Sequence, residues 1–190
     1  MTIQFESFPK LHRFTGPIVI SEKIDGTNAC VVIEGDEIAA QSRTRIITPE
    51  KDNHGFARWV YANKEALIAV LGDGRHYGEW WGNGIQRGYG LKEKRFSLFN
   101  TARWENTPEL NAIGVYVVPV LWTGTFDTAI ITLMLDQLRA RGSYAAPGYN
   151  NPEGIVVYDT RSRQGYKKTF DYDDTGKGGQ KDEHGNVVAI

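Results

Sequence analysis

Lys23 lies in the run Ser21-Glu22-Lys23-Ile24-Asp25-Gly26-Thr27-Asn28, between two segments of strand character. A primary amine at a strand end, beside a tight Asp-Gly turn, is placed for nucleophilic attack once it loses its proton. A free lysine titrates near ~10.4, so well under about 1% is neutral at pH 7. Partial burial and a neighbouring cation both lower that value. Arginine could not serve, because its guanidinium stays protonated. K-x-D-G also arises by chance in charged surface loops, and alone it does not choose between the two readings.

Other chemistries lack their residues. There is no G-x-x-x-x-G-K-[ST] loop, no H-E-x-x-H, no C-x-x-C and no G-x-S-x-G. Gly72-Asp73-Gly74 and Gly82-Asn83-Gly84 have no third glycine at dinucleotide-binding spacing and read as turns. His12, His54, His76 and His184 are scattered, so a histidine-ligated zinc site is not expected. The chain has 190 residues, 41% hydrophobic and 24% charged, enough to bury a core. Its one cysteine, Cys30, has no internal disulfide partner. With no leader at the N-terminus, a reducing, intracellular setting is expected. No apolar run reaches the ~18–20 residues that span a bilayer, so no membrane partner is expected. A net charge of −1 leaves a nucleic-acid partner open, since a basic patch can sit on a neutral whole.

Two helices and several strands must position the lysine. Strands are expected at Pro17–Ser21, Ala29–Glu34 and Glu37–Ser42, the last two joined at Gly35-Asp36. Asn53 is expected to cap a helix running to about Leu71, with Phe56, Trp59, Val60, Leu67 and Ile68 on one face. Further strands are expected at 76–81, 95–100, 115–121, 155–158 and 165–170. A second helix over Thr128–Arg141 carries Ile130, Ile131, Met134, Leu135 and Leu138 on a broad apolar face. Strands and helices do not alternate regularly, which favours a mixed or antiparallel α+β fold over a doubly wound parallel sheet. Residues 171–190 hold five acidic residues against Lys177 and Lys181, with four glycines, and read as a loose tail or weak hairpin after a domain over 1–170.

The ordered set of segments is more specific than any one of them. Lys23-x-Asp25-Gly26-x-Asn28 resembles the nucleotidyl-lysine motif of covalent nucleotidyltransferases, the superfamily of ATP-dependent ligases and capping enzymes. Gly78-Glu79-Trp80-Trp81-Gly82 resembles its strand with a single glutamate, and Phe96-Ser97-Leu98-Phe99-Asn100 its aromatic strand. Glu153-Gly154-Ile155-Val156-Val157 resembles its E-G-[IV]-V segment, and Tyr166-Lys167-Lys168-Thr169 its closing lysine motif. Ser42-Arg43 lies about 20 residues after the lysine, where the superfamily has a basic residue near the ribose. Asn28 and Glu22 resemble the small RNA-ligase-2-like and editing-type RNA ligases, since DNA ligases and capping enzymes usually carry Arg at the position of Asn28. Asn100 replaces a common Asp, and Lys167-Lys168-Thr169 replaces a usual Lys-x-Lys.

That resemblance implies a ligase-type adenylyltransferase core, ATP-grasp-like, with two antiparallel sheets, flanking helices and no OB-fold domain. It implies an ATP-dependent RNA ligase that forms lysyl-AMP on Lys23, passes AMP to a 5′-phosphate and seals it to a 3′-OH. Mg²⁺ or Mn²⁺ would be held by Glu153. Lys167 or Lys168 would supply the cation beside Lys23, the two pointing to opposite sides of a strand. Glu79 would take a ribose hydroxyl, Arg43 (with Arg45 as its rival) the sugar or phosphate, and Phe99 (with Phe96 as its rival) the adenine face. Main-chain groups near Glu22 and Ile24 would read the adenine edge, and Asn28 would orient the sealing end. RNA is the expected partner, gripped by a basic-aromatic stretch at 84–104 or by Arg139, Arg141, Arg161 and Arg163. DNA remains open as substrate, a protein partner could supply end specificity, and such compactness suits a virus- or phage-encoded enzyme. The alternatives are a minimal DNA ligase, a GTP-using guanylyltransferase and a non-catalytic binding module.

Overall fold

The computed structural model describes residues 4, 5, 7, 8 and 16–171. The acidic glycine-rich segment after Asp171 lies outside them. Among the described residues, ten strands form two sheets. The first contains β1 (Pro17–Lys23), β8 (Val120–Thr125), β9 (Gly154–Asp159) and β10 (Gln164–Thr169) in the order β10-β9-β1-β8, antiparallel throughout. The second contains β2 (Thr27–Glu34), β3 (Glu37–Ser42), β4 (Ile46–Ile47), β5 (Gly74–Gly82), β6 (Lys94–Leu98) and β7 (Val115–Val117) in the order β4-β3-β2-β5-β6-β7. It departs from the antiparallel expectation at its edge, where β7 runs parallel to β6.

Each sheet buries one face under helices and turns the other to a shared cleft. Val31, Ile33, Trp80, Phe96 and Leu98 pack against Phe56, Val60, Leu67 and Leu71 of α1 (Phe56–Ala62) and α2 (Lys64–Leu71). Ile18, Ile20, Ile155 and Val157 pack against Met134, Leu135 and Leu138 of the helix over Thr128–Arg141, with Ile130 and Ile131 at its margin. That helix is capped by Asp127, whose carboxylate accepts from Ala129 N–H at 2.8 Å, and ends at Gly142.

Three expectations shift for local reasons. The helix expected over 53–71 is broken at Asn63, whose side-chain amide donates to Trp59 C=O at 2.7 Å and so competes with the helical ladder. Its start is served by Asp52 and not Asn53: the Asp52 carboxylate accepts from Ala57 N–H at 2.8 Å, while Asn53 Nδ2 donates to Thr27 Oγ1 at 3.0 Å. The strand expected over 115–121 is two strands in different sheets, separated at Val118-Pro119. The strand expected over 95–100 stops at Leu98, and Asn100 caps the single turn Thr101–Trp104 by accepting from Arg103 N–H at 3.2 Å.

The chain therefore changes sheet at Ile24–Gly26 and again at Val118-Pro119. The two crossings are tied side by side where Glu22 N–H donates to Pro119 C=O at 2.9 Å. A third apolar cluster of Ile24, Trp81, Tyr89, Val118 and Ala146 fills the seam between the sheets.

Candidate active site

Alternation along β1 decides which side chains reach the cleft. Ile18, Ile20 and Glu22 are buried on the helix side, while Val19, Ser21 and Lys23 line a cleft of about 1220 Å³. Lys23 is the last residue of β1, so its amine stands on the cleft floor at the seam. Its Nζ donates to Glu153 Oε2 at 2.8 Å, across 130 residues of sequence. Glu153 precedes β9 directly, and Lys23 pairs with Gly154 in the β1–β9 register. A Cβ at Gly154 would meet Lys168 C=O at 2.2 Å, so only glycine lets β10 close against β9 here.

Register also separates the two adjacent lysines of β10. Lys167 pairs with Val156, which pairs with Ser21, and all three line the cleft. Lys168 pairs with Ile155, which pairs with Glu22, on the helix-facing side. Thr169, opposite Gly154, shares the face of Lys167.

Across the seam, the turn after Lys23 is held by three groups. The Tyr89 hydroxyl accepts from Asp25 N–H at 2.8 Å, Glu79 Oε1 accepts from Gly26 N–H at 3.1 Å, and Arg87 Nε donates to Asp25 Oδ2 at 3.1 Å. Gly26 has no room for a side chain, since a Cβ would meet Trp80 C=O at 2.5 Å and Trp81 Cβ at 2.7 Å. Tyr89 is buried, packs edge-on against Trp81 and keeps a left-handed backbone at φ 52°. Such a conformation in a bulky residue is costly and persists where the surroundings enforce it.

Asn28 Nδ2 also donates to Glu79, at 3.3 Å to Oε2. Burial pushes the Glu79 carboxyl up to about 7, against the pull of Lys23 and the Gly26 N–H. Native Glu79 therefore keeps its proton to higher pH than the unfolded chain, and the stability this gives is lost as pH rises from about 4.5 to about 7. Glu79→Gln is expected to flatten that decline, which urea midpoints at pH 4.5, 6 and 7.5 would read. Burial also raises the Glu22 carboxyl. Glu22 adds a slope of the same sign, so the difference between wild type and variant isolates Glu79.

Glu22 does not present its side chain to the cleft opening. It is buried, and its carboxylate accepts from Ser143 Oγ at 2.6 Å, Tyr144 N–H at 2.8 Å and Ala145 N–H at 2.9 Å. Ile24 is buried in the seam. Arg43 is exposed and lines the cleft, whereas Arg45 turns away to Lys51 C=O at 3.4 Å. Phe99 is 43% exposed and lines the cleft, whereas its rival Phe96 is fully buried against Phe56.

The basic-aromatic stretch at 84–104 is not an RNA-facing patch as a whole. Tyr89, Phe96 and Trp104 are interior, Arg87 holds Asp25 and Asp171, and Arg95 pairs with Glu93 and lies over Trp81 and Tyr116. Sequence reasoning thus missed the positioning roles of Arg87, Tyr89 and Ser143. A lone Tyr or Ser gives no pattern, and only the fold brings 89 and 143 to the lysine.

Among the described residues, no group of three or more His, Cys, Asp and Glu side chains is placed to cage a metal ion. Glu153 offers one hard carboxylate beside Lys23. That donor set suits a divalent ion that takes its other ligands from substrate phosphates and water. No helix among the described residues is long and apolar enough to cross a membrane.

The same fold occurs in solved structures of Naegleria gruberi RNA ligase. One variant, solved with ATP and Mn, aligns at 22% identity and a TM-score of 0.61, covering 82% of this chain and 50% of that one. Another, with AMP and Mn, aligns at 21% identity and a TM-score of 0.60, covering 81% and 49%. The chain thus spans about half the length of these proteins. No match was found among curated proteins. The RNA ligase family model matches residues 16–177, from the strand that carries Lys23 to just beyond the strand that carries Lys167, and the chain belongs to the RNA ligase family.

Proposed function

We propose that this chain is the adenylyltransferase core of an ATP-dependent RNA ligase, with residues 1–170 as its catalytic domain and 171–190 as an appended tail. The observation that carries the reading is Lys23 Nζ on the cleft floor, 2.8 Å from Glu153, with Lys167 on the same face. Lys23 attacks the α-phosphate of ATP: the N–P bond forms, pyrophosphate leaves, and the amine's proton is lost. AMP then passes to a 5′-phosphate end, freeing the lysine, and a 3′-OH attacks that end and releases AMP.

The ammonium in its salt bridge with Glu153 has no free lone pair, so it must give up a proton before it attacks. Lys167 places positive charge near the reacting phosphate, where preorganised charge lowers the barrier most. Glu153 would hold a divalent ion, which when bound neutralises phosphate charge; the Naegleria enzyme's Mn and nucleotide support this choice. Glu79 receives the ribose, Asn28 orients the sealing end, Arg43 meets the sugar or phosphate side, and Phe99 stacks on adenine. Main-chain groups near Ile24 read the adenine edge. Glu22 N–H is already taken by Pro119 C=O, so this residue contributes its backbone carbonyl at most.

The test is incubation with Mg²⁺ or Mn²⁺ and ATP labelled at the α-phosphate, read by denaturing gel and intact mass, with GTP alongside. The expected result is one covalent AMP with ATP only. Sealing of a nicked 5′-phosphorylated RNA is expected to exceed that of nicked DNA. Label from GTP would favour a guanylyltransferase, preferred DNA sealing a minimal DNA ligase, and no adduct in folded, unadenylated protein a binding module.

A further inference from the structure

The cleft extends well beyond the groups used above. Its carboxylates (Asp25, Glu79 and Glu153) all lie at the lysine end. The limb past Glu79 is lined by Arg75 and Arg103, with Tyr77 and Phe99, and by no carboxylate. Along β5 exposure alternates: Arg75 and Tyr77 are open, while His76 and Gly78 are buried. Tyr77 and Arg75 thus share the cleft face with Glu79. The pairing of Gly78 with Leu98, and the bond from Phe99 N–H to Tyr77 C=O at 3.0 Å, put Tyr77 and Phe99 opposite one another on adjacent strands. Opposite residues on one face lie close enough for their rings to form a continuous surface. Tyr77 is 52% exposed and Phe99 43%. Arg75 Nη1 donates to Gln41 Oε1 at 2.9 Å, which orients the guanidinium along the sheet. The neighbouring Asp73 is occupied with Gly35 N–H at 2.9 Å.

We infer that Tyr77 and Arg75 form a subsite for one unpaired nucleotide of the RNA strand, its base stacked on Tyr77 and its phosphate on Arg75. The inference rests on the RNA reading above, with Phe99 left to the adenine of ATP. A half-exposed ring beside an oriented guanidinium suits a single-stranded nucleotide, because stacking accepts any base while the cation holds the backbone. An acid-free limb with two arginines complements a polyanion; the acid-rich lysine end does not.

The experiment is fluorescence anisotropy of a labelled, 5′-phosphorylated single-stranded oligoribonucleotide, without ATP, over a range of salt. Tyr77→Ala is expected to weaken binding about 5-fold or more, the lower end of what one stacked base contributes. Tyr77→Trp is expected to restore it, and Arg75→Gln to lower the slope of log affinity against log salt by about 0.7, one single-strand phosphate contact. Tyr61→Ala, at a partly exposed tyrosine on α1 away from the cleft, is the control and should bind as wild type. The inference is overturned if the wild type does not bind the oligonucleotide, if Tyr77→Ala binds as tightly as wild type, or if Tyr77→Trp is as weak as Tyr77→Ala. It is equally overturned if Tyr77→Ala changes only the ATP concentration needed for lysine labelling, which would assign the shelf to ATP. Labelling of the wild type reads the ligase proposal separately. A labelled protein with an unchanged Tyr77→Ala affinity loses only the subsite, and an unlabelled one loses the enzyme.

Discussion

Lys23→Arg is expected to abolish the covalent AMP label while leaving thermal stability close to wild type. Arginine keeps the positive charge and can reach Glu153, which Lys23 Nζ contacts at 2.8 Å. The ion pair that the fold sees is therefore preserved. What is lost is the lone pair: a guanidinium titrates near ~12.5–13.8, so its neutral fraction lies at least about 100-fold below that of an ordinary lysine. The guanidinium is also a poor nucleophile because its charge is delocalised. Lys23→Ala should lose label equally, but it also leaves the Glu153 carboxylate without its cation. The arginine variant thus separates chemistry from structure. An intact-mass adduct on Lys23→Arg would move the nucleophile to another side chain, with Lys167 the first to examine.

Glu22→Ala is expected to cost about 3–5 kcal/mol, because each buried donor left without an acceptor costs about 1–3 kcal/mol. It would strand the N–H groups of Tyr144 and Ala145 and the Ser143 hydroxyl, all of which end on this carboxylate. For a chain of this length that corresponds to a fall in Tm of roughly 6–20 °C. Glu22→Gln should recover most of the loss. Its one carbonyl oxygen can accept both backbone N–H groups, and its amide can donate to Ser143 Oγ, which already accepts from Ala146 N–H at 2.9 Å. The glutamine also carries no charge to desolvate. Differential scanning calorimetry of the two variants checks the ordering; equal losses would mean that the charge itself, and not the acceptor geometry, holds the 143–146 loop.

Legibility from sequence followed the range of the interactions. The amphipathic helix over Thr128–Arg141 and the hairpin at Gly35-Asp36 depend on neighbours a few residues apart, and both were readable. The lysine motif was readable because its chemistry is compressed into six positions. The change of sheet at Val118-Pro119 was not, because an apolar run of seven residues has the same local pattern whether it serves one sheet or two. The choice between Lys167 and Lys168 likewise depended on the register with β9, a pairing that no spacing within 164–169 contains. Tyr89 and Arg87 reach Asp25 across 64 and 62 residues. Their types announced surface RNA contact, whereas burial turned them inward.

The two sheets also differ in when they can be made. All six strands of the larger sheet come from one unbroken stretch, residues 27–117, and every pairing in it joins consecutive strands except that of β2 with β5. The smaller sheet recruits β1 from one end of the described chain and β8, β9 and β10 from the other, and both flanking partners of β1 follow it by about a hundred residues or more. During synthesis the larger sheet and its helices can close while β1 still has two open edges. Contacts of such long sequence separation are slow to form and leave unpaired edges exposed to aggregation. The amine of Lys23 meets Glu153 only when the last strands have left the ribosome. On the ligase proposal the nascent chain is expected to stay silent toward nucleotide until β9 has emerged, and a pulse of label on ribosome-bound chains truncated before residue 150 should find none.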